Sequence, residues 1–278
     1  MIFLRRTYTG IKMKKQFMLR TKKADFAGLA RQLGVDPLTV RLMVNRDIPE
    51  EDMEKYLHPS IEDFGNPHRL RDIDKAAELI QQAVKNHKKI RVIGDYDIDG
   101  IMSTYILVAA IRQVGGNCDF DIPHRVRDGY GLNKRLVQDA EAAGVELIIT
   151  CDNGIAAADA IRAGKEAGLT MIVTDHHIVP YREENGLQTE LLPPADAIVN
   201  PHREGDQYPF KKICGAVVAW KTAIVLYELF GLDEDEKNRF MENAAFATIG
   251  DVMPLQEENR SIVRLGISKL KSTQNLGM

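Results

Sequence analysis

Three short runs rich in β-branched residues, Ile90–Gly94, Val145–Thr150 and Thr170–Thr174, each lead straight into a knot of polar, mostly ionisable residues. Asp95-Tyr96-Asp97-Ile98-Asp99-Gly100 follows the first, Cys151-Asp152-Asn153-Gly154 the second and Asp175-His176-His177 the third. With a fourth run at Ala197–Val199 and segments of helical period between them, the pattern predicts an α/β fold, a doubly wound and mainly parallel sheet. The carboxyl ends of strands in such a sheet lie along one edge, where ligands bind. The three polar clusters are therefore expected to meet.

Asp95, Asp97 and Asp99 have period two, so an extended backbone would point them the same way before Gly100 turns the chain into a helix expected over Ile101–Val114. Carboxylates packed so densely repel one another unless cations sit among them, and hard divalent ions are the usual partners. A calcium-binding EF-hand is excluded, because its loop needs a bidentate Glu at the twelfth position and Ile106 stands there, within an apolar helix. Histidine beside carboxylates shifts the preference to manganese, iron, cobalt or zinc, with magnesium still compatible. Manganese is the first choice. Asp251, in ATIGDVMPL after the helical run Phe240–Ile249, is a further ligand candidate. Each piece alone has a plainer explanation, since Asp97 or Asp152 can cap a helix and paired surface histidines are common. It is their placement at three strand ends that points to a metal site.

The rest of the chain frames this centre. Residues 1–23 carry eight basic side chains and no acid, whereas the remainder is acidic enough to bring the 278 residues to a net −3. A basic leader of this kind is compatible with a nucleic-acid arm or a targeting peptide. The simpler expectation is a disordered leader with Met13 as an alternative start. An acidic body argues against binding nucleic acid by bulk charge, so a phosphate substrate needs local groups or metal ions. Residues 24–88 read as a helical N-terminal region in which Phe26–Val44 imitates a helix-turn-helix, residues 89–256 as the α/β domain, and residues 257–278 as the start of a truncated interdomain helix. The three cysteines, Cys118, Cys151 and Cys214, form no CxxC pair, which suggests neither disulfides nor structural zinc and makes a reducing cytoplasm the expected setting. No apolar run reaches the length of a membrane span.

GDYDIDG, CDNG, TDHH and GDVMP, in that order, resemble the successive motifs of the DHH phosphoesterases. LMVNRDI, IPHRVRDGYGLN, IVNPHR and ICGAVVAWK are similar to the RecJ-type single-strand exonucleases of that family. The resemblance runs from Ala24 to the end. It implies a 5′-to-3′ exonuclease of DNA repair and recombination that uses two divalent ions, manganese first and magnesium second, to hydrolyse phosphodiesters of single-stranded DNA. By position it implies that Asp152 bridges the ions, that Asp99, His176 and Asp251 complete one site and that Asp97, helped by Asp95, completes the other. It places His177 against the scissile phosphate, and Arg125 and Tyr130 at the 5′ end of the strand, by phosphate contact and base stacking. Asp175 is expected to orient the histidines, and the amides that open the helix at Gly215 are expected to face phosphate. His58, His68, His87, His124 and His202 are expected to be structural or surface residues. Family members continue into a DHHA1 domain and an OB-fold, with single-strand-binding protein or helicase partners through those regions. This chain is accordingly expected to digest DNA with poor processivity. The rival readings are a DHH phosphoesterase for oligoribonucleotides or cyclic dinucleotides, a non-catalytic replication scaffold and a helix-turn-helix regulator.

Overall fold

Strand and helix alternate as the sequence pattern demands, and the alternation inside each strand settles which helices cover which face. The computed structural model describes residues 22–126, 129, 131–184, 186–273, 275 and 277–278. Two compact units divide the chain, Met1–His58 and Pro59–Met278.

In the first unit, α1 (Phe26–Leu33) is capped by the Asp25 carboxylate, which accepts from the amide of Gly28, and Gly34 ends the helix in the left-handed conformation. Asp36 caps α2 (Pro37–Asn45) in the same way, with proline in its first turn. With α3 (Met53–Leu57), these helices share a small core of Ala30, Val40, Met43 and Met53.

The second unit begins with α4 (Ile73–Lys85), β1 (Lys89–Ile93), α5 (Ile98–Gln113), β2 (Asn117–Asp121), α6 (Lys134–Ala142), β3 (Leu147–Cys151), α7 (Ala158–Glu166) and β4 (Thr170–Thr174). A hairpin of β5 (Tyr181–Glu184) and β6 (Leu187–Glu190) precedes β7 (Ala197–Val199), and α8 (Gly215–Phe230), α9 (Glu234–Lys237), α10 (Met241–Gly250) and α11 (Glu257–Lys269) follow. The main sheet is parallel throughout, in the order β2-β1-β3-β4-β7. Ile90 and Val92 of β1, Leu147 and Ile149 of β3, Ile172 of β4 and Ala197 and Val199 of β7 join the core beneath α4, α5 and α8. The alternate residues Ile93, Ile148, Met171, Val173 and Ile198 join the opposite core, with α6 and α7. That two-residue period makes the fold doubly wound. Residues 59–88, which the sequence pattern groups with the N-terminal helices, contribute α4 to this unit, because its apolar stripe of Ile73, Ala76, Ala77, Ile80 and Val84 is buried in the larger core. No described helix is long and apolar enough to cross a membrane.

The helical layer is pinned by a buried ion pair. Lys221 of α8 lies 2.6 Å from Glu258 of α11 and donates to the Gly65 carbonyl at 2.9 Å, while the Tyr208 hydroxyl also donates to Glu258. Both charged side chains are almost wholly buried, and burial lowers the Lys221 pKa. Removing one partner of such a pair leaves an uncompensated charge in the core. Glu258→Leu is expected to destabilise the protein by about 3–5 kcal/mol in urea unfolding, with most of the loss recovered in the Lys221→Met, Glu258→Leu double variant. A loss below about 1 kcal/mol in the single variant would show that the pair does not anchor α11.

Candidate metal centre

Strand order changes direction between β1 and β3, since the chain places β2 on one side of β1 and β3 on the other. Loops leaving adjacent strands at such a point diverge and open a crevice. Asp95 and Asp97 leave β1, Asp152 leaves β3, and His176 and His177 leave β4 along that same edge.

The first cluster differs from its extended expectation. The helix begins at Ile98, three residues early, because Asp97 is its N-cap, accepting from the Gly100 amide at 2.9 Å. Asp99 is therefore helical and rotated away from Asp95 and Asp97. Gly100 permits the tight turn, since a Cβ there would lie 2.5 Å from the Asp95 carbonyl oxygen. One motif thus serves two groups. Ligand atoms of Asp95, Asp97 and Asp152 lie within 4.8 Å of one another, as do those of Asp99, His176 and Asp251 and those of Asp152, His176 and His177. His176 Nε2 is 3.1 Å from Asp152 Oδ1, 3.5 Å from Asp99 Oδ2 and 3.9 Å from Asp251 Oδ2.

The cup has a buried floor of Asp95, Asp99 and Asp152, a half-buried wall of His176 and Asp251, and an exposed rim of Asp97 and His177. Burial raises the Asp95 pKa and the charge of Asp97 adds to it; neither carboxylate oxygen has a well-formed hydrogen bond, and the Tyr96 and Gly131 amides only temper the effect. Burial, then the charges of Asp99, Asp97 and Asp175, holds Asp152 far above the ordinary carboxylate range. Asp251 is raised by burial and then by Asp99. Oxygen donors crowded to this degree, joined by an imidazole, fit hard or borderline divalent cations.

Neighbouring residues of the same motifs hold the candidate ligands in place. Asp152 adopts the left-handed conformation (φ 60°), which Asp tolerates better than most residues. Next to it, Asn153 donates to the carbonyls of Ile93 and Cys151 at 3.2 and 2.8 Å, stapling β1 to β3, and accepts from the Leu132 amide at 3.1 Å. Asp175 behaves as expected of an orienting group, receiving the Ile155, His176 and His177 amides and lying 2.8 Å from His177 Nδ1. Burial opposes its charge but the His177 ring and these amides outweigh it, so its pKa is lowered; the same bond raises that of His177. Asn200, in the NPH segment, donates to the His177 carbonyl at 2.9 Å. His202, read from sequence as structural, lies close enough to His176 for that charge to help burial lower its own pKa.

Two expectations for substrate contacts meet different outcomes. Arg125 is exposed, with its guanidinium 5.2 Å from the centre of the Tyr96 ring; Tyr130 lies outside the described residues. The Gly215 amide does not face outward to phosphate: it is buried and donates to Asp99 Oδ2 at 2.6 Å, and the Ala216 amide donates to Asp99 Oδ1 at 2.8 Å. A carboxylate of the chain itself already occupies the helix N-terminus. Burial pushes the Cys151 and Cys214 thiols up, which leaves neither as a ready thiolate.

These shifts have a sign. Asp95, Asp152 and Asp251 hold protons in the folded state at pH values where the unfolded chain has released them, so stability falls as pH rises from the ordinary carboxylate range towards the raised values. The raised His177 acts the same way above its ordinary value; the lowered Asp175 acts oppositely, losing stability only as pH falls through the acid range. Metal-free protein in a chelator is expected to resist urea better at pH 5 than at pH 8, and saturating Mn2+ is expected to remove the difference. Asp152→Asn, a residue that also tolerates the left-handed conformation, is expected to raise metal-free stability at pH 8 by at least about 1 kcal/mol. Unchanged stability in that variant would show that Asp152 carries no burden of charge.

Comparison with known proteins agrees with this geometry. The profile of the DHH family, N-terminal domain, matches residues 89–249. The single-stranded-DNA-specific exonuclease RecJ of Bacillus subtilis is 38% identical over 251 residues, covering 90% of this chain and 30% of the relative. The Escherichia coli RecJ is 34% identical over 272 residues, covering 94% of this chain and 44% of the relative. Among solved structures, RecJ from Thermus thermophilus in complex with Mn2+ superposes with a TM-score of 0.71 at 28% identity, covering 90% of this chain and 34% of that one. The chain thus spans less than half the length of the relatives it matches. With that family match extending over more than half of its length, the chain belongs to the DHH family.

Proposed function

We propose that this chain is the metal-binding phosphodiesterase part of a single-stranded-DNA exonuclease of the RecJ type, working in the cytoplasm in DNA repair and recombination. The observation that carries this reading is the meeting of two ligand groups, Asp95–Asp97–Asp152 and Asp99–His176–Asp251, with Asp152 beside His176 at their junction. Asp95, Asp97, Asp99, Asp152, His176 and Asp251 would hold two divalent ions, Mn2+ first and Mg2+ second, with Asp152 the carboxylate that would serve both. Such ions would supply positive charge that acidifies water and stabilises the charge developing on the phosphoryl oxygens.

The chain's own residues account for the rest. His177 stands at the exposed rim with Nδ1 directed to Asp175, so Nε2 is the atom that meets a non-bridging phosphate oxygen. Its raised pKa favours the protonated ring, a donor to that oxygen. Arg125, exposed near Tyr96, offers a guanidinium to the 5′ phosphate, and Tyr130 a ring for base stacking. The buried floor of carboxylates would shield one side of such ions from bulk water, while the rim of Asp97 and His177 is exposed on the side where a strand would enter. No covalent intermediate is required, which accords with buried thiols of raised pKa.

The test compares 5′-labelled single-stranded DNA with dinucleotides and short oligoribonucleotides, with and without Mn2+. Mn2+-dependent release of mononucleotides from the 5′ end of DNA is expected. Asp152→Ala and His176→Ala are each expected to lower the rate by at least about a hundredfold while the far-ultraviolet circular dichroism is kept. Arg125→Ala is expected to raise KM for 5′-phosphorylated strands with little change in kcat. Turnover of dinucleotides alone would move the assignment to the short-substrate branch, and full activity in Asp152→Ala would reject the centre.

A further inference from the structure

We propose that Gly215 is a positioning residue of the metal centre, holding Asp99 and Asp152 at a fixed separation through the first turn of α8. The inference rests on the reading of those two aspartates as ligands and adds a residue that, on this geometry, touches neither ion nor substrate.

A sixteen-residue helix opens with four amides that lack partners inside the helix. At α8 the N-cap, Cys214, supplies no side-chain hydrogen bond. Asp99, from the first turn of α5, supplies it instead, one oxygen accepting from Gly215 at 2.6 Å and the other from Ala216 at 2.8 Å. Two parallel bonds fix the plane of the carboxylate, and the positive end of the helix dipole favours its charge. The oxygen held by Gly215 is the one that lies 3.5 Å from His176 Nε2. The turn that orients Asp99 therefore also aims it.

The same residue sets the distance to Asp152. A Cβ on Gly215 would stand 2.8 Å from both Cβ and Oδ1 of Asp152 and 3.0 Å from its Cγ. Asp152 cannot simply step aside, because its amide donates to the Thr174 carbonyl at 3.0 Å and its backbone is held left-handed at the end of β3. Any larger residue would push Asp152 out of line or lift α8 and stretch both bonds to Asp99. Glycine is thus the spacer between Asp99 of one group and Asp152 of the neighbouring one. Its amide would be wasted as a phosphate contact and its missing side chain would have no purpose there.

The test measures Mn2+ binding to metal-free protein by calorimetry, alongside thermal melting in chelator. Gly215→Ala is expected to weaken Mn2+ binding about 10–100-fold. Gly164→Ala, in the middle of α7, where the added Cβ would meet Met171 Sδ at 2.5 Å, serves as the packing control and is expected to leave affinity unchanged. Wild-type affinity in folded Gly215→Ala overturns the proposal, as does an equal loss of affinity in the control. Asp152→Ala, measured in parallel, separates the two claims: undiminished Mn2+ binding there would reject the ligand reading itself. Should Gly215→Ala fail to fold, nuclear magnetic resonance of the wild type during a Mg2+ titration decides the matter. The Gly215 and Ala216 amides are expected to shift on Mg2+ binding and to keep their exchange protection; amides unmoved at saturation, or deprotected, overturn the proposal.

Discussion

Repulsion among carboxylates governs this structure. Asp95, Asp99 and Asp152 are buried side by side, with Asp97 and Asp251 at hand, and burial and like charge together push three of the five carboxyls up. A protein free to optimise stability alone would not assemble such a group, because burying like charges side by side opposes folding. The sheet, the crossing helices and the apolar cores on both faces provide the stabilisation against which that strain is held. The site is consequently under electrostatic tension that cations would relieve, and metal affinity and fold stability are two readings of the same repulsion.

The division of labour around the centre follows from this. Side chains that face the cup are few, and a larger set fixes them from behind. Asn153 ties β1 to β3, Asp175 gathers three amides and a histidine ring, and the start of α8 grips Asp99. Each of these contacts joins a side chain to backbone groups, which fixes where that side chain points. The motif letters beyond the ligands themselves are explained by those duties. The N of CDNG, the first D of TDHH and the G of ICGAV hold other residues still.

Much of this was legible in the sequence. β4 and β7 match their expected bounds, and β1 and β3 lie within two residues of theirs, because short buried parallel strands are read from continuous apolar runs. The meeting of Asp152 and His176 followed from the single assumption that strand ends share an edge, whereas Asp251, at the end of α10, was a candidate only by its place after a helical run. Edge strand β2, Asn117–Asp121, escaped notice because only Cys118 is buried in it and its composition is polar. The β5–β6 hairpin escaped for the same reason, although Asn185-Gly186 is a strong hairpin signal. The backbone at Asp99 and the outlook of the Gly215 amide differ from expectation for a deeper cause, although Asp99 does join His176 and Asp251: a period-two pattern does not reveal that a helix begins in its midst, and a helix N-terminus does not reveal which carboxylate will reach it from a hundred residues away. Tertiary hydrogen bonds of that reach have no local signature.

The candidate ligands are also scattered along the chain from Asp95 to Asp251, so no short fragment of the polypeptide contains the centre. Contacts between such distant segments form late in folding, once the sheet has its order. On the ribosome, a growing chain lacks Asp251 until α10 has been made, and the cup stays incomplete while most of the unit is already outside the tunnel. A cup assembled this way takes form only after residues from distant parts of the unit, Asp95 to Asp251, have all been synthesised.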